Sequence, residues 1–129
     1  MKKLTILLRA VGILQIVLGA AYLLAPGAFT EWMKLSPAPH DANYAYGMLA
    51  SRFIAYGIGM FVIARNPQRN IFWIKNMILI QGVDLGVGVF YTAKGVLSLS
   101  SSAFPMFNAF LIAVLLFLWK PRQAERETK

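Results

Sequence analysis

Apolar residues run almost unbroken through four stretches of the chain: Leu4 to Ala25, Tyr44 to Ala64, Ile71 to Ala93 and the shorter Ala103 to Trp119. Crossing a hydrocarbon core of about 30 Å takes roughly 20 predominantly apolar residues in helical form, and each stretch comes close to that. None shows the strict apolar/polar alternation of a membrane barrel strand, and an open strand would leave backbone polar groups unpaired in lipid. The pattern therefore predicts an all-α fold, an integral membrane four-helix bundle that takes up residues 1–129 as a single domain.

The connections carry their own signals. Between Pro26 and Asn43 lies PGAFTEWMKLSPAPH, in which Phe29, Trp32, Met33 and Leu35 fall close to helical spacing, so a short helix lying in the membrane interface is expected before the SPAP break. RNPQRN is a tight turn, and KGVLSLSSS, rich in serine, reads as a flexible loop. Lys2 and Lys3 precede the first run as in a secretory signal, but Arg9 and Gln15 interrupt it and its length exceeds what a signal needs. It is read as a retained span.

Composition agrees with a membrane setting. The chain is 58% hydrophobic and 14% charged, with a mean hydropathy of +0.59, well beyond the needs of a soluble core. The net charge of +8 does not point to nucleic acid, because the cations gather at the ends of the apolar runs. With four spans, Lys2, Lys3, Arg65, Arg69, Lys75, Lys120, Arg122, Arg126 and Lys129 fall on one side and Lys34 and Lys94 on the other. By the positive-inside rule both termini are then cytoplasmic.

Against this background the polar residues within the spans stand out. An Asp, Lys or Arg at a helix centre costs about 2.5 to 3.5 kcal/mol on insertion scales, so such residues normally face the bundle interior and find partners. Asp84 lies roughly 20 Å along the third run from Ile71, and Arg52 roughly 12 Å along the second from Tyr44. Since the two runs point in opposite directions, the depths nearly coincide. An Arg52–Asp84 ion pair is expected, either fixing helix register or forming the floor of an outward-opening polar pocket. Arg9, one to two turns from the cytoplasmic end, can snorkel to the headgroups. Gln15 and Gln81 fall near mid-depth, where a mutual hydrogen bond would contribute about 0.6 kcal/mol.

Helical spacing sorts these residues into stripes: Leu8, Gly12, Gln15, Gly19 and Tyr22 in the first span; Met48, Arg52, Tyr56, Gly59 and Ile63 in the second; Met77, Gln81, Asp84, Gly88 and Tyr91 in the third. Each mixes small residues with a polar one, the pattern of helices packed around an interior polar cluster. Tyr22 and Tyr56 are expected to line the pocket, whereas Tyr44, Tyr46 and Tyr91 suit an aromatic belt at the interface. Gly12, Gly19, Gly59, Gly82, Gly86 and Gly88 are expected to let helices approach closely, with the Gly82/Gly86 GxxxG pair also suited to a homo-oligomer contact.

Much chemistry is excluded or unsupported. Without cysteine there is no disulfide, thiolate metal site or dithiol redox pair, and His40, the single histidine, cannot supply paired haem ligands. No metal site, cofactor or catalytic residue is expected. Ser98, Ser100, Ser101 and Ser102 offer hydroxyls with no base nearby. The chain has the size of a small multidrug exporter but lacks an acid in its first span.

The order of features resembles small bacterial four-span proteins of the DoxX-like and BphX-like group. The resemblance rests on LLRAVGILQIVLGAAYLLAP in the first span, SRFIAYGIGMFVIARNP in the second and MILIQGVDLGVGVFYTAKG in the third, and covers nearly the whole chain. It implies an inner-membrane protein, with some relatives associated with quinone-linked oxidation or the breakdown of aromatic compounds. It carries over no catalytic residue; Arg52 and Asp84 are the positions most like the group's in-span polar residues.

The expected function is an accessory or binding protein of the bacterial inner membrane, with an oxidoreductase in its own right the least supported reading. Its polar cluster would bind a lipophilic small molecule, quinone-like or a membrane lipid, or dock a membrane protein partner. A small proton-coupled transporter working as a dimer is the alternative.

Overall fold

The computed structural model describes residues 2–122. Within them the chain forms five α-helices: α1 (Lys2–Leu24), α2 (Pro26–Trp32), α3 (Ala42–Arg65), α4 (Ile71–Ala93) and α5 (Leu99–Trp119). A 3₁₀ turn, Pro67–Asn70, joins α3 to α4, and the described residues contain no strand. Four helical stretches, α1, α3, α4 with its preceding turn, and α5, are long and apolar enough to cross a membrane. Arg126 and Lys129 lie outside the described residues.

Helix boundaries follow local chemistry. Pro67 opens the 3₁₀ turn, where its missing N–H costs nothing, and the Asn66 side chain accepts from the Arg69 N–H at 3.3 Å. The short α2 likewise starts on a proline, Pro26. At its far end Leu35 N–H donates to the Thr30 carbonyl and Lys34 N–H to the Glu31 carbonyl, and Lys34 is held at φ +60°. The same pair of bonds closes α4, from Val96 to Tyr91 and from Gly95 to Thr92, there with a glycine at φ +76° in the left-handed position.

The serine-rich segment departs from expectation. It is no loop beyond Ser98: α5 begins at Leu99, four residues before the predicted start of the apolar run. The Ser98 side chain caps it by accepting from the Ser101 N–H at 3.3 Å. Ser101 and Ser102 are buried. Serine is tolerated in a first helical turn because its hydroxyl satisfies free backbone groups there.

Packing divides the bundle into two close pairs. α1 packs chiefly on α3 and α4 on α5; a smaller α1–α5 contact joins the pairs, while α3 and α4 meet little beyond the turn between them. Around the bundle the order is therefore α3, α1, α5, α4. The α3–α4 side is an edge.

Alone in the set, the α1–α3 pair is built on small residues. A methyl placed on Gly12 would stand 2.9 Å from the Gly57 carbonyl oxygen, and one on Gly57 would stand 2.8 Å from that of Gly12. One turn-pair away, a methyl on Gly19 would meet Ile54 at 2.6 Å and the Ala50 carbonyl at 3.0 Å. Gly12 and Gly19 oppose Gly57 and Ala50 in antiparallel register, each pair seven residues apart. That repeat places small residues on one face and lets the backbones close up. On the other pair, a methyl on Gly88 would meet Met106 of α5 at 2.6 Å.

The apolar core lies toward one end. Leu4, Leu8 and Val11 of α1, Met60, Ile63 and Ala64 of α3, Ile74 and Met77 of α4, and Ile112 and Leu116 of α5 form one buried cluster. It sits at the end where α1 begins, α3 ends, α4 begins and α5 ends. The same end carries Lys2, Lys3, Arg65, Arg69, Lys75, Lys120 and Arg122. Outward faces are apolar almost throughout, with Ile6, Ile13, Val17, Ile58, Val62, Leu79, Phe104, Phe107 and Phe117 all more than half exposed. A water-facing helix would carry polar residues there.

Candidate functional site

Above the core, where α3 and α4 make few contacts with each other, the α3–α4 edge is the candidate crevice. Gln15 in the middle of α1 and Gln81 in the middle of α4 are both buried, 4% and 3% exposed respectively. The expected hydrogen bond between them is not made. Gln81 Nε2 instead donates to the Met77 Sδ of its own helix at 3.4 Å, and a thioether is a weak acceptor. Gln15 forms no side-chain hydrogen bond with another described residue, and no fully enclosed side-chain nitrogen or oxygen among them lacks a partner. Its amide therefore keeps a little exposed surface.

Asp84 stands one turn beyond Gln81 at the lip, exposed and within Coulombic range of Tyr22. The expected ion pair with Arg52 is not formed. Arg52 is exposed and its Nη1 donates at 2.9 Å to the Met48 carbonyl one turn back on α3. Among the described residues no cation lies within 4.0 Å of a carboxylate oxygen. The physical reason is the packing just described. Burying Ala50 and Gly57 against α1 fixes the rotation of α3, and Arg52 lies about 140° around the helix from Gly57. The guanidinium is left at the open edge, where its own backbone is the nearest acceptor. Arg9, as expected, is on an outward face, in line with Ile6 and Ile13.

Tyr22 is the centre of an aromatic cluster at the end remote from the core. Its ring meets Phe29 of α2 edge-on at 4.7 Å, Tyr46 at 5.6 Å and Phe53 in a stacked arrangement at 5.9 Å. Tyr46, expected in an interfacial belt, thus belongs to this cluster. Tyr44 and Tyr91 do face outward. Tyr56 packs on the apolar core from the α3 side. Phe53 was missed by sequence reasoning because phenylalanines occur on every face of these helices; its only signal is a seven-residue spacing from Tyr46.

The glycine expectations divide. Gly12, Gly19 and Gly88 face neighbouring helices, whereas Gly59, Gly82 and Gly86 have nothing within 4 Å of an added methyl. Gly59 belongs to the stripe that Arg52 was expected to turn inward; Gly57, two residues earlier, takes its place. Gly82 and Gly86 lie on the outer side of α4, away from Asp84.

Beside the crevice, α4 and α5 are joined by hydroxyls. Thr92 Oγ1 lies 2.7 Å from both the Gly88 carbonyl and Ser102 Oγ, and Ser102 Oγ lies 3.2 Å from the Ser98 carbonyl. Ser101 Oγ donates to the Lys34 carbonyl at 3.3 Å, tying the end of α2 to the start of α5. The serines are structural here. His40 is exposed in the loop before α3, and no group of metal-binding side chains occurs among the described residues.

No protein-family model, curated protein or solved structure matches this chain.

Proposed function

We propose that the protein is a multi-pass component of the bacterial inner membrane, its basic end and both termini cytoplasmic, whose crevice holds the polar head of a lipophilic small molecule. The carrying observation is the pair of buried amides whose hydrogen-bonding capacity is largely unspent among the described residues: Gln15 makes no side-chain hydrogen bond there and Gln81 bonds only to a thioether. Amides kept in an apolar bundle without good partners are costly. A ligand head, or water standing in for one, offsets that cost.

The donor set suggests the head's chemistry. The Gln15 and Gln81 amides can donate to a carbonyl, and Asp84, an acceptor when ionised, suits a hydroxyl. A quinone/quinol ring or the glycerol–ester region of a lipid carries both groups. Entry between α3 and α4, which make few contacts with each other, would be sideways, and the apolar tail of such a molecule would remain among lipid chains. The resemblance to the DoxX-like and BphX-like group, with its quinone-linked relatives, supports the same reading.

The test is retention of lipophiles. Protein purified in mild detergent is extracted and its small molecules quantified by mass spectrometry, alongside Gln15→Leu and Asp84→Asn. Several-fold loss of one head-bearing species is expected in both variants, with helicity and melting temperature kept. Unchanged content in both removes the proposal. Asp84, with no cation within 4.0 Å among the described residues, also supports the second reading, a proton-coupled dimeric transporter. That reading requires pH-dependent flux in liposomes that disappears in Asp84→Asn.

A further inference from the structure

The geometry points to a second site at the basic end, a seat for the headgroup of an anionic phospholipid in the seam between the start of α1 and the end of α5. A hollow of about 380 Å³ lies there, lined by Lys2, Lys3, Leu4 and Trp119. Its chemistry is graded as a lipid's is. The two ammonium groups come from the first turn of α1, and Trp119, the last residue of α5, brings an indole N–H suited to the interface. Leu4 belongs to the buried core, and Ile6 of α1 with Phe117 and Leu118 of α5, each within two residues of a lining residue along its helix, are more than half exposed, an apolar surface for acyl chains.

Charge complementarity selects the sign. Glu31 and Asp41 lie at the opposite end, and Asp84 beside the crevice, so no described carboxylate is available to the two lysines. Lys120, the next cation, is turned to the α5 surface with its ammonium 4.2 Å from the centre of the Phe117 ring. Lys2 and Lys3 thus form a concentrated positive charge on the hollow, with no counter-ion among the described residues. A phosphodiester answers both lysines at once, and basic pockets between spans are a recurring form of anionic-lipid site.

The site requires the bilayer placement proposed above but not the crevice ligand, so each can fail alone. The experiment compares thermal stability and lipid retention by native mass spectrometry in nanodiscs of phosphatidylglycerol and of phosphatidylcholine. The wild-type chain, Lys2→Gln/Lys3→Gln and Arg65→Gln/Arg69→Gln are measured. The two variants remove the same charge from the same end, but only the first touches the hollow. Phosphatidylglycerol is expected to stabilise the wild type and the Arg65/Arg69 variant alike, and the lysine variant is expected to lose roughly ten- to thirtyfold in retention of that lipid. Equal losses in both variants would show diffuse attraction to the whole basic end and overturn the site. So would an unchanged lysine variant, a loss of stability in it that is the same in both lipids, or equal stabilisation of the wild type by millimolar inorganic phosphate.

Discussion

At the scale of single residues, the glycines of this chain divide by whether another backbone lies against them. Gly57→Leu should disrupt the α1–α3 contact, because even its first carbon would stand 2.6 Å from Ile16 and 2.8 Å from the Gly12 carbonyl. Overpacking of this kind costs about 1 to 3 kcal/mol or more, read as a lower melting temperature in detergent. Gly59→Ala and Gly82→Ala meet open space and should leave the melt unchanged or raise it by up to about 1 kcal/mol, the helix-propensity gain. If all three variants behave alike, the close approach of α1 to α3 is wrong. Gly95 and Lys34 make a second comparison, since both occupy the left-handed position of the same helix-ending motif. Gly95→Ala should destabilise and Lys34→Gly stabilise, each by about 1 kcal/mol. Opposite signs in matched denaturation curves would reject the motif.

At the scale of elements, α4 coincides with the apolar run from Ile71 to Ala93, α1 begins two residues before its predicted run and ends one residue short of it, and α3 extends its run by two residues at the start and one at the end. Hydrophobicity and length sufficed because the backbone of an apolar segment in lipid has few ways other than a helix to satisfy itself. The start of α5 was less legible, since serines read as a linker in composition but as a cap and a helix–helix tie in three dimensions. Thr92→Val removes the hydroxyl that stands 2.7 Å from Ser102 Oγ. It should weaken the α4–α5 pair by about 0.6 to 1.5 kcal/mol. Ser98→Ala removes the cap and should cost about 1 kcal/mol. Fraying then begins at α5, seen as faster amide exchange over Ser100 to Ala103 with α1 unaffected.

At the scale of the whole molecule, two tight pairs meet through a core at the basic end and part along the α3–α4 edge. The absence of cysteine makes paired spin labels simple to place. Labels at Arg65 and Lys75, beside the turn, should give a short and narrow distance distribution. Labels at Leu49 and Val87, across the opening, should give a longer and broader one that narrows when a crevice ligand is added. Equal distributions at the two levels would mean that no crevice exists.

What the sequence determined by itself was the set of long helices, their antiparallel alternation and the gathering of cations at one end, because each depends on residues near one another in the chain. It also located Gln15, Gln81, Asp84 and Tyr22, since a polar group in an apolar run is conspicuous whatever its neighbours. Only the tertiary structure decided how each helix is rotated. Sequence reasoning turned α3 so as to bury its charge; the fold turned it to bury Ala50 and Gly57, leaving Arg52 at the edge, bonded to the Met48 carbonyl. Close backbone packing gains many small contacts along a whole helix, whereas an arginine can satisfy itself locally. Rotation is therefore settled by the sum over the face, and no single residue in the sequence displays that sum.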